Sequence, residues 1–249
     1  MSRLLVLSNG AGEDAIARKV LDRLDNELQD RVVCCPLVGS GAALQDKFEL
    51  CGPRVLPPSE GLFRESWMMA LKDLTQGVLC GHYRQLKFLR EVSSRVSLTL
   101  AVGDLFPVLW SGLGGAKRTL FVGTAKSVYH HPYSLPERFL LGKIATRSIV
   151  RDGATAQRLT ELGLDARWLG NAMMDEVQPE GLELPFELEK PVITVFPGSR
   201  KKAPGVLVYQ LKILGLVAEH IPDVQIGVAV APGTSVGDLA QEAVKSCLL

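Results

Sequence analysis

The sequence predicts a doubly wound α/β fold, and two observations carry that reading. Apolar runs of strand length recur at residues 4–7, 32–38, 98–102, 119–122, 148–150, 166–169, 192–196 and 224–230. Most are continuous rather than alternating, the pattern of strands buried on both faces of a parallel sheet. Between many of them lie helical stretches, at residues 14–28, 135–145, 154–162, 206–220 and 236–248. Strand and helix alternating through short loops is the order that a parallel sheet with helices on both faces requires.

Composition narrows the function classes. The 249 residues suit one or two domains, and the 47% hydrophobic content is enough for a sizeable core. Lys and Arg total 28 against 27 Asp and Glu, so the net charge of +1 argues against a dedicated nucleic-acid binder. The five cysteines are odd in number and lack C-x-x-C spacing, which excludes an obvious disulfide framework or zinc site and fits reduced thiols. The opening apolar run stops at Ser8, too early for a signal peptide, and no run reaches the roughly 18 apolar residues of a spanning helix. The expectation is a cytoplasmic protein, peripheral to the inner membrane face at most.

Taken in order, the first strand ends in Ser8-Asn9-Gly10-Ala11-Gly12-Glu13-Asp14, which opens the first helix. Gly10 and Gly12 let the backbone approach a ligand, and the helix N-terminus offers N–H groups. Glu13 and Asp14 favour the helix dipole but repel phosphate, so the loop suits a neutral hydroxylated ligand such as a sugar, or is simply a tight turn. It is not a G-x-G-x-x-G dinucleotide fingerprint. Residues 63–96 carry a helical stripe (Trp67, Leu71, Leu74, Val78, then Leu86 and Leu89), which Gly77 and Gly81 are expected to split into two helices. Leu62, Phe63, Trp67, Met68 and Met69, with basic residues nearby, read as helix-to-sheet core or as a membrane-contacting face.

After the strand at 98–102 comes Gly103-Asp104-Leu105-Phe106-Pro107. Ligands of open α/β sheets bind at the carboxyl ends of strands, where Asp104 is placed to act as general base. The competing reading is a helix N-cap. The loop after 119–122 supplies Thr124, Lys126, Ser127 and Tyr129, suited to an anion or a sugar. The adjacent His130 and His131 lack the i, i+3 or i+4 spacing of helical metal ligands, and no metal site is expected. Residues 175–190, rich in Glu and Pro, read as an interdomain linker. They divide a first domain, 1–176, from a partial second domain, 190–249, with 177–189 between. Pro197-Gly198-Ser199-Arg200 then joins a strand to a helix, where backbone N–H groups, a hydroxyl and an Arg fork suit a nucleotide diphosphate. It is not a Walker A loop.

These motifs, together with Leu37-Val38-Gly39-x-Gly41 and Gly170-Asn171-x-Met173-Met174-Asp175, resemble the lipid-A-disaccharide synthase-related proteins. The resemblance runs from residue 5 to about 200. It implies a GT-B-like architecture: a doubly wound Rossmann-like domain followed by the start of a second. It implies a glycosyltransferase without cofactor or metal, moving an acylated glucosamine from a UDP-sugar to a lipid-linked sugar acceptor at a membrane surface. By that analogy Asp104 deprotonates the acceptor hydroxyl. Asn9, Gly10, Gly12 and Glu13 line the acceptor cleft, with Thr124, Lys126, Ser127 and Asn171 nearby, and Gly198, Ser199 and Arg200 hold the diphosphate. The chain departs from the pattern at Ala11, Ala172 and Ala203, and in the expected absence of the later donor half. Two competing expectations stand beside this one. The first is a UDP-sugar epimerase on the same scaffold, for which Asp104, Glu13 and His130 are the obvious set. The second is a non-catalytic binding protein.

Overall fold

The computed structural model describes residues 3–55, 78–174, 185–187, 189–198, 203–230 and 235–247. The expected face at residues 62–69, Gly77, Asp175, most of the linker, Ser199 and Arg200 lie outside these. The chain divides into two compact units, Met1–Gln178 and Pro179–Leu249.

In the first unit β1 (Arg3–Ser8) leads into α1 (Ala11–Asp22), a single turn α2 (Asn26–Gln29), β2 (Val32–Pro36) and β3 (Glu49–Leu50). Next come α3 (Val78–Val92), β4 (Val96–Gly103), α4 (Leu105–Leu113) and β5 (Thr119–Gly123). The unit continues with α5 (Leu135–Ile144), β6 (Ala145–Val150), α6 (Gly153–Glu161) and β7 (Ala166–Arg167). All seven strands pair in parallel, in the order β3-β2-β1-β4-β5-β6-β7. This is a Rossmann-like sheet. The order reverses between β1 and β4, so their loops leave in opposite directions and open a crevice at the carboxyl ends of the strands.

Burial explains the continuous apolar runs. On β1, Val6 packs with Ile16, Leu21 and Val102 on the α1 face, while Leu5 and Leu7 pack with Cys35, Leu37 and Leu89 on the opposite face. Further along, Phe121 joins Val108, Leu141 and Leu159. Each fully buried Leu or Val contributes about 2 kcal/mol.

Two expectations need correction, and one strand is added. The helix expected over 14–28 starts earlier, at Ala11, and ends at Asp22. Its end is held by Gln29, whose Nε2 donates to the carbonyl of Leu24 at 2.7 Å and more weakly to that of Asp22. Gly81 does not break α3: a Cβ there would stand 2.6 Å from Val55 Cγ2, so the glycine is a point of close packing. β3 was not foreseen, because two residues leave no periodicity to read.

The second unit pairs β8 (Val192–Val195) with β9 (Gln225–Val228) in parallel, with α7 (Ala203–His220) and α8 (Val236–Cys247) alongside. Its buried cluster is Ala203, Leu207 and Leu239, with Val195, Leu211 and Val230 packed against it. Among the described residues no helix is long and apolar enough to cross a membrane.

Candidate functional site

The reversal between β1 and β4 brings Asn9 and Asp104 together across 95 positions of sequence. Asn9 Nδ2 donates to Asp104 Oδ1 at 3.1 Å, and the Phe106 N–H donates to the same oxygen at 2.8 Å. Asp104 therefore caps α4, as the helix-capping reading expects, and stands where the loops after β1 and β4 meet. Burial pushes its carboxyl above the usual range, against the lowering effect of the Phe106 and Asn9 bonds and of the Lys126 charge.

Glu13 lies across both loops. A Cβ on Gly103, at φ +124°, would stand 2.6 Å from Glu13 Cγ, and one on Gly10, at φ +143°, would stand 3.0 Å from Glu13 Oε2. Both glycines thus serve backbone conformation and close approach at once. Gly12 is exposed with open space around it. No side chain caps α1, unlike α4 and α6. The Thr124 N–H donates to the Gly103 carbonyl at 3.1 Å and ties the loop after β5 to the crevice.

Lys126 and Ser127 follow in that loop, each already engaged. Lys126 Nζ lies 2.8 Å from Glu137 Oε2, which also accepts from the Ser134 N–H and Oγ. Burial works to raise Glu137, but these bonds outweigh it and hold the carboxyl low. Ser127 is buried and bonds Asp152; there too the hydrogen bonds outweigh burial and hold the carboxyl low. Tyr133 stands beneath, its phenol pushed well up by burial and by the Glu137, Asp104 and Asp152 charges.

Sequence reasoning missed Glu137, Asp152 and Tyr133 as members of this group. Ser134 three places before Glu137 is the capping-box spacing that marks Glu137. Asp14, read from the sequence as a helix-dipole residue, is instead buried with Ser8, the hydroxyl donating to Oδ1 at 2.5 Å. Burial pushes Asp14 up to about 6.

Asn171 stands apart, half-buried beside a cavity of about 270 Å³ that it lines with Leu100, Val122, Thr124, Ile149 and Arg151. This cavity shares Thr124 with the crevice but neither Asn9 nor Asp104. Gly198 follows β8 at φ +97° and is exposed. His130 and His131 are exposed and pack against each other, 4.1 Å between ring centroids.

No protein-family model matches the chain, and no curated protein matches it in sequence. Solved structures do match its fold. S. aureus MnaA bound to UDP is 12% identical with a TM-score of 0.58, covering 98% of this chain and 66% of its own. UDP-GlcNAc 2-epimerase from Neisseria meningitidis, bound to UDP-GlcNAc, is 15% identical with a TM-score of 0.58, over 98% of this chain and 70% of its own. A Listeria monocytogenes structure described as a UDP-N-acetylglucosamine 2-epimerase is 14% identical with a TM-score of 0.51, over 99% and 66%. The chain spans about two thirds of the length of these proteins. The fold is α/β and GT-B-like, as expected. The resemblance to lipid-A-disaccharide synthase-related proteins is corrected: the solved structures that share the fold are described as UDP-GlcNAc 2-epimerases, not as lipid-A-disaccharide synthases. The acyl-glucosamine transfer and the place in lipid A biosynthesis are withdrawn with it. The short motifs misled because strand–glycine–helix loops recur wherever a parallel sheet presents its carboxyl ends.

Proposed function

We propose that this chain binds a UDP-sugar and acts on the sugar as a 2-epimerase does, with Asp104 as the proton-handling group. One observation carries the reading: a half-buried carboxylate of raised proton affinity, held by Asn9, at the switch point of a parallel sheet. Inverting a sugar at C2 requires the C2 proton to be removed and one returned on the opposite face; the C–H electron pair forms a C1–C2 double bond as the C1–O bond to the diphosphate breaks, and re-addition of the diphosphate with protonation at C2 reverses the step. A carboxylate of raised proton affinity is suited to one of these transfers, and the opposite face needs a second group. Lys126 supplies positive charge near Asp104, and Glu13 is a second carboxylate beside the same loops. Gly10, Gly12, Thr124, Ser127 and Asn171 are proposed as sugar-side contacts. Gly198, Ser199 and Arg200 are proposed to hold the diphosphate, through backbone N–H groups and the Arg fork.

Calorimetric titration with UDP and with UDP-GlcNAc tests the binding half. The expected result is micromolar affinity, about −8 kcal/mol, falling at least tenfold in Arg200→Ala. A folded chain with no affinity for either nucleotide contradicts the reading and favours a non-catalytic binding protein.

A further inference from the structure

Cys35 and Cys51 lie outside the site described above and are brought together by the sheet. β2 and β3 pair in parallel with Cys34 opposite Leu50, and the Cys51 N–H continues the ladder to the Cys34 carbonyl at 2.8 Å. The next rung sets Cys35 against Cys51. Neighbouring strands stand about 4.8 Å apart, inside the roughly 4.4–6.8 Å span of Cα separations that disulfides bridge. Both thiols belong to one packed cluster with Leu37 and Leu89. Cys35 Sγ lies over the adjoining backbone: a Cβ on Gly52 would meet it at 2.8 Å. Cys34 faces the other way, packed with Val6 and Ile16.

We infer that Cys35 and Cys51 form a reversible disulfide on exposure to a two-electron oxidant such as a peroxide. Cys51 is partly exposed and Cys35 fully buried, so the oxidant meets Cys51 first. Its thiolate attacks the peroxide oxygen, hydroxide leaves, and a sulfenic acid forms. The Cys35 sulfur then attacks the Cys51 sulfur; the sulfenic hydroxyl departs with the Cys35 proton as water, and the S–S bond closes. The hydrogen bond from the Cys35 thiol opposes burial and lowers the Cys51 thiol, which favours the attacking thiolate. The product clips edge strand β3 to β2, whose Pro36 pairs with Ser8 beside Asn9.

The test oxidises the native full chain with hydrogen peroxide, alkylates the remaining thiols, and maps tryptic peptides without reduction. Cleavage after Arg31, Lys47 and Arg54 places Cys34 and Cys35 on 32–47 and Cys51 on 48–54. The expected product joins these two peptides, loses two hydrogens, and reverts with dithiothreitol. It persists in Cys34→Ser and vanishes in Cys35→Ser. Linkage that vanishes in Cys34→Ser but persists in Cys35→Ser overturns the proposal. So does a wild-type chain in which Cys51 reaches sulfinic acid or couples to Cys80 with no 32–47 to 48–54 product.

Discussion

Asp14 is 1% exposed and holds a single side-chain partner of opposite role, the Ser8 hydroxyl. Its carboxyl titrates near 6 in the folded chain against 3.8 when unfolded, because burial penalises the charge more than Ser8 relieves it. A raised folded value means that the native state holds its proton longer. Stability from this group is full below pH 3.8 and is lost as pH rises through 6. The loss is about 3 kcal/mol in all, roughly half of it between pH 5 and 7.5. Urea denaturation of Asp14→Asn should show that fall removed, with the variant more stable than wild type at pH 7.5. An unchanged pH dependence would place the titration elsewhere. Asp104 carries a shift of the same sign, with burial again the largest cause, but it is only half-buried and bonds Asn9.

At the scale of elements, α5 shows how a cap and a site share atoms. Glu137 Oε2 closes the first turn through Ser134 and also holds Lys126. Glu137→Ala should lower unfolding stability by about 1 kcal/mol, read from the urea midpoint. Loss of stability well under that would mean water replaces the cap. The sequence showed most of these elements, because doubly buried strands such as β2 and β4 are continuous apolar runs that only a parallel sheet explains. It did not show β3, too short for a period, nor the role of Gly81, whose contact with Val55 is tertiary. Of the site, Asn9 and Asp104 were legible as loop residues at strand ends, but their bond was not, since strand order is not written in local pattern. The sequence marks Asp14 only as a helix-dipole residue, because burial of a polar side chain has no local signature.

At the scale of the molecule, the two units differ in how much they bury. β2 is buried throughout, whereas every residue of β8 and β9 is exposed or half-buried, and the second unit's buried cluster is Ala203, Leu207 and Leu239. Amide exchange should therefore be faster in β8 and β9 than in β1, β4 and β5 by orders of magnitude. Equal protection by mass spectrometry would show that the units open together. The GT-B-like fold is shared with UDP-GlcNAc 2-epimerase at 15% identity, and a shared fold does not fix the chemistry. The decision rests on whether a proton moves at C2. The direct measurement is proton NMR of UDP-GlcNAc incubated with the chain in deuterium oxide. Deuterium is expected to enter at C2 with the wild-type chain and not with Asp104→Asn, while Asp14→Asn retains exchange. UDP-GlcNAc that binds yet keeps its C2 proton, or exchange that survives in Asp104→Asn, would contradict it.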